Sequence, residues 1–78
     1  MIAWKCEYTD TFCGEANYSW VRRATVTLPQ NASDLAVMRA AKRALDLSGI
    51  RCRVDRMGEG WGLRPYGSAT VAFILPEY

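Results

Sequence analysis

The stretch that decides the fold is SDLAVMRAAKRALDLSGIRCRVD, Ser33–Asp55. Its hydrophobic period changes part-way along. Through Ser33–Ser48, Leu35, Val37, Met38, Ala41, Ala44 and Leu45 recur at three- and four-residue spacing. That spacing places them on one broad arc of a helix. Asn31 or Ser33 is expected to cap the first free N–H groups, with Asp34 complementing the dipole there. Gly49 is expected to close the helix as a left-handed residue. Lys42 and Arg43 are spaced to pair with Asp46, while Arg39 and Arg43 lie on the opposite side. After Gly49 the period is two. Ile50, Cys52 and Val54 alternate with Arg51, Arg53 and Asp55, the pattern of a half-buried strand.

Period two also holds upstream. Ile2, Trp4, Cys6 and Tyr8 alternate with Ala3, Lys5 and Glu7 over residues 2–8. The polar stretch TDTFCGEAN, Thr9–Asn17, reads as a long hairpin loop. A β-branched strand follows over Tyr18–Leu28, stopped by Pro29. Trp20, Arg22, Ala24, Val26 and Leu28 share one of its faces, and Val21, Arg23, Thr25 and Thr27 the other. Downstream, Met57–Gly60 reads as a turn and Trp61–Arg64 as a short strand ended by Pro65. Tyr66–Ser68 is a second turn. Ala69–Leu75 is apolar on both faces and is expected to be central, with Pro76 ending it before a Glu77–Tyr78 tail.

The order ββαβββ predicts a single small α+β domain, 1–78, with one helix packed on one face of a mainly antiparallel sheet. The other face would carry Lys5, Glu7, Arg23, Thr25, Thr27, Arg51, Arg53 and Asp55. Half of the 78 residues are apolar and the formal net charge is +2, which argues against disorder. No stretch has the apolar length of a membrane span, and no secretion signal is visible at the N-terminus, so a cytoplasmic setting is expected. Cys6, Cys13 and Cys52 are an odd count and read as free thiols, Cys6 and Cys52 as small core hydrophobes.

Few groups point to chemistry. The chain has no histidine, so the commonest general base and metal ligand is missing. The cysteines lack zinc spacing, and no metal or cofactor is expected. Asp10 and Glu15 would do acid–base work only if held about 5–10 Å apart. A non-enzyme is the expectation. GEGWG, Gly58–Gly62, lacks the helix start of a phosphate-binding loop and reads as a hairpin turn. Arg23, Arg51 and Arg53, with Arg22 and Arg64 near in sequence, suggest a basic sheet face. Beside Tyr18, Trp20 and Trp61, such a face would suit single-stranded nucleic acid.

Three segments carry a resemblance. EYTDTFCGEANYSWVRR (Glu7–Arg23), MRAAKRALDLSGIR (Met38–Arg51) and RPYGSATVAFI (Arg64–Ile74) resemble small proteins encoded by tailed bacteriophages and prophages. The resemblance spans most of the chain and carries no functional residue across. It implies an accessory protein in the host cytoplasm, of the kind that binds and inhibits a bacterial defence complex such as a CRISPR effector. The expected contact residues are Tyr18, Trp20, Arg22, Arg23, Trp61, Arg64 and Tyr66, because arginine and aromatic side chains dominate binding hot spots. The alternatives are a nucleic-acid module on the basic face and an oligomeric sponge for a nucleotide signal. The expected assembly is a monomer or homodimer.

Overall fold

Alternation in the N-terminal third builds one long hairpin. Strand β1 (Ile2–Phe12) and strand β2 (Glu15–Leu28) pair antiparallel from Ile2 opposite Leu28 to Phe12 opposite Glu15. The computed structural model describes residues 1–77 of the chain, so the expected place of Tyr78 in a tail lies outside the described residues. Helix α1 (Asp34–Ala44) follows, then β3 (Cys52–Met57), β4 (Gly60–Pro65) and β5 (Thr70–Glu77). The five strands form one antiparallel sheet in the order β2-β1-β5-β4-β3. The expected ββαβββ architecture is the observed one, and β5 is the central strand.

Register divides the side chains into two faces. Trp4, Cys6 and Tyr8 share the helix-covered face with Ala24 and Val26 of β2, Ala72 and Ile74 of β5, and Trp61 and Leu63 of β4. They meet Val37, Ala41, Leu45 and Leu47 in the core. Trp4 and Trp61 lie with ring centroids 5.5 Å apart. Arg56 sits over the Trp61 ring, 5.1 Å from its centroid, a cation–π contact. Of the expected contact residues, Trp61 is only 6% exposed and belongs to the core instead of the surface. Strand alternation points it beneath the helix side, where it fills the gap beside Trp4.

Helix α1 is shorter than expected. Ser33 caps it, accepting a hydrogen bond from the Ala36 N–H at 3.1 Å. Leu45 is the C-cap and Asp46, with φ 61°, takes the left-handed position expected at Gly49. Gly49 instead turns the following segment, with φ 78°. The expected pairs to Asp46 do not form, because the chain leaves helical geometry there. Lys42 reaches forward and donates to the Ile50 carbonyl. The buried stripe is Val37, Ala41 and Leu45, while Leu35 and Ala44 of the expected arc are exposed.

Two strand ends also differ. Pro76 does not stop β5, which pairs with β1 as far as Glu77 opposite Ala3. The proline is tolerated because β4 begins at Gly60, which stands level with Leu75, so nothing on that side needs the missing N–H. The GEGWG segment is indeed hairpin. Its turn is Gly58-Glu59, and Gly60 and Gly62 belong to β4. A Cβ at Gly60 would stand 2.0 Å from the Ile74 carbonyl oxygen, so only glycine lets β4 lie so close to β5 there.

Candidate recognition surface

The stretch expected to be a loop is strand on both sides. β1 continues to Phe12, and the chain reverses over Cys13 and Gly14, with φ of 53° and 83°. Positive φ at both central residues is the pattern of a two-residue type I′ hairpin turn. Cys-Gly gives a weaker hairpin signal than Asn-Gly. This end of the hairpin lies outside the core, and Phe12 and Glu15 on either side of the turn are both exposed.

Between Thr9 and Thr11 the register slips. Thr9 faces Val21 but Thr11 faces Ala16, so residues 17–20 of β2 stand against Asp10 alone. Asp10 satisfies that surplus backbone. Its carboxylate accepts from the Ser19 hydroxyl, from the Asn17 side-chain amide at 3.0 Å and from the Ser19 N–H at 3.0 Å. The Ser19 and Asn17 bonds hold its pKa down to about 2. A carboxylate saturated in this way is a structural anchor and a poor proton donor.

Thr9 completes the arrangement from beneath. It is fully buried, accepts from the Tyr18 N–H at 3.1 Å and donates to the Trp20 carbonyl at 2.7 Å. Tyr18 thereby holds a left-handed φ of 56°, which bulky residues rarely adopt. Its ring turns toward the open face, where its hydroxyl donates to Glu7 at 3.2 Å. Arg23 binds the same Glu7 at 2.7 Å and keeps that carboxyl below the usual range.

Trp20 lies on the helix-side face, edge-on to Tyr8 at 5.2 Å. Arg22 stands 5.8 Å from the Tyr8 ring centroid and donates to the Leu45 carbonyl at 2.7 Å. It thus ties β2 to the C-terminal end of α1, where cations complement the helix dipole.

Four of the seven expected contact residues, Tyr18, Trp20, Arg22 and Arg23, therefore cluster on one stretch of edge strand. Tyr66 joins the same end of the sheet from the β4–β5 turn, which the Thr11 N–H meets through the Ala69 carbonyl at 2.9 Å. Phe12 is also there and was not among the expected residues. Phe12 is 71% exposed, Tyr66 67%, Tyr18 47% and Trp20 43%.

Arg64 stands apart from these on β4, opposite Arg53 and facing away from the helix. The basic face expected from Arg23, Arg51 and Arg53 does not assemble. Arg23 is on one edge strand and Arg53 on the other, about 19 Å apart at four strand spacings. Arg22 faces the helix side, and Arg51 precedes β3, its carbonyl accepting from the Tyr66 N–H at 3.1 Å. Arg53 is taken up by Asp55 at 3.0 Å.

Among the described residues, no group of three or more Cys, Asp or Glu side chains gathers to hold a metal ion. No helix among them is long and apolar enough to cross a membrane. Comparison with protein-family models, curated proteins and solved structures finds no match for this chain.

Proposed function

We propose that this chain is a phage-type accessory protein that binds a bacterial defence complex, such as a CRISPR effector, and blocks it by steric occlusion without catalysis. In this reading it acts in the host cytoplasm. The class of target rests on the resemblance of Glu7–Arg23, Met38–Arg51 and Arg64–Ile74 to phage and prophage proteins.

The contact surface rests on one observation. The hairpin end presents Phe12, Tyr18 and Trp20 to solvent on a backbone fixed by Thr9 and Asp10, and Tyr66 is exposed at the same end of the sheet on the β4–β5 turn. Exposed aromatic side chains on a rigid support bind with little ordering cost, and aromatics with arginine form most hot spots. Arg23, beside Tyr18, supplies the charged rim. The separation of Arg23 from Arg53 weighs against the nucleic-acid alternative, which needs a continuous basic track. The nucleotide-sponge alternative loses its GEGWG phosphate loop, since those residues form a hairpin.

Affinity capture from lysate of phage-susceptible bacteria, after nuclease treatment, tests the proposal. The expected result is a defined protein complex on the wild-type chain. Phe12→Ala/Tyr66→Ala is expected to weaken capture about tenfold or more, since truncating a hot-spot residue costs about 2 kcal/mol or more. Undiminished capture by that variant would move the surface elsewhere. Recovery of nucleic acid alone, lost as salt rises, would replace the proposal by the nucleic-acid alternative.

A further inference from the structure

Helix α1 carries a second stripe that the core does not use. Leu35, Arg39, Lys42 and Arg43 follow at three- and four-residue spacing, turned away from Val37, Ala41 and Leu45, and Met38 lies at the border, one side of it packed against the core. With Ser48 and Gly49 they line a groove of about 350 Å³. The far wall is set by Lys42, whose ammonium donates to the Ile50 carbonyl and draws the 48–50 turn against the helix. Leu35, 58% exposed, and the half-buried Met38 give the groove an aliphatic floor.

The charge around that floor is of one sign. The ion pairs of the described residues engage Arg23, Arg53 and Arg56. No carboxylate among those residues pairs with Arg39, Lys42 or Arg43. Asp46, just beyond Arg43, has a left-handed backbone (φ 61°) and forms no ion pair with it, and Asp34, beside Leu35, is engaged by Arg56. Three cations thus line the groove beside its apolar floor with no ion pair to a carboxylate among the described residues.

We infer that this groove docks an acidic amphipathic polypeptide segment, its apolar side chains on Leu35 and Met38 and its carboxylates on Arg39 and Arg43. Arginine grips carboxylates in a bidentate fork, and methionine suits a surface that must adapt to a helix or strand laid on it. The aliphatic floor selects a peptide over a nucleic acid. Bases bind single-strand sites by stacking on aromatic rings, and the groove is lined by none. The surface shares no residue with the hairpin end and stands whether or not that end is the contact for a defence complex.

The test is fluorescence anisotropy with a labelled helical peptide that carries leucines on one face and glutamates beside them. Polyglutamate and an oligothymidylate serve as comparison probes. Wild type is expected to bind the amphipathic peptide. Arg39→Glu/Arg43→Glu and, separately, Leu35→Ser are expected to lose about tenfold or more of that affinity. Far-UV circular dichroism checks the fold, and Arg39→Gln/Arg43→Gln replaces the charge reversal if it disturbs the helix. Absence of binding, equal binding to polyglutamate or to oligothymidylate, or variants that bind like wild type would each overturn the inference.

Discussion

Asp10 is only half-buried yet organises the hairpin end, because its acceptor capacity matches a local surplus of donors. Its pKa falls from an ordinary 3.8 to about 2. The sign of the linkage follows. The group's contribution to holding the hairpin is present in full above about 3.8 and is lost as pH falls through about 2. Amide resonances of Asn17 and Ser19 should therefore titrate with a midpoint near 2 in an acid series followed by NMR. A midpoint at the ordinary aspartate value would show that the carboxylate is not held as described. The three free cysteines make a second residue-level expectation. Cys13 is exposed at the hairpin turn, Cys52 is half-buried, and Cys6 is fully buried with its pKa pushed up to about 11 by burial. Since the thiolate is the reactive form, maleimide labelling followed by mass spectrometry should modify Cys13 first and Cys6 only on unfolding. Early labelling of Cys6 would mean that the core opens under native conditions.

Strand β4 shows how an element can depend on missing side chains. Gly60 and Gly62 both face away from the helix, but their surroundings differ. A methyl group at Gly60 would meet the Ile74 backbone, whereas at Gly62 it would meet the Met57 sulfur at 2.9 Å. Backbone cannot yield without moving β5, and a methionine side chain can swing aside. Gly60→Ala should cost about 3 kcal/mol, the upper end for overpacking, and Gly62→Ala about 1 kcal/mol or less. Urea unfolding of the two variants measures the difference, and equal losses would refute it. At this scale most of the architecture is legible in the sequence. The Ser33 cap and the two apolar faces of β5 each have a local cause and are where they are expected, and the change from helical to strand period is legible although the helix ends at Ala44, before Gly49. The hairpin end is not legible for an equally local reason. Beyond the buried Thr9 the strand is largely solvated and carries no alternation, so Thr9–Asn17 has the composition of a loop although all of it but the Cys13-Gly14 turn is strand.

At the scale of the molecule, what could not be read was sheet order. Arg23 and Arg53 look like neighbours because each alternates onto the same face. Yet β2 and β3 are the two edges, joined only by the helix that crosses over the sheet. Strand order depends on pairing between distant residues, and no short-range pattern encodes it. Trp61 belongs to the same class: its burial needs Trp4, brought to it across β1, β5 and β4. The exposed aromatics were partly legible, since Tyr18, Trp20 and Tyr66 lie in turn-rich or edge segments, but their gathering at one end needed the register. That sheet order also sets a schedule for the chain during synthesis. β1 and β2 pair as neighbours in sequence, and so do β3, β4 and β5, but β1 meets β5 only across the full span of the domain. The first hairpin must therefore emerge from the ribosome with the inner edge of β1 unsealed. An open edge of that kind is a template for wrong pairing, and it stays open until the last strand, the one that belongs in the middle, has been made.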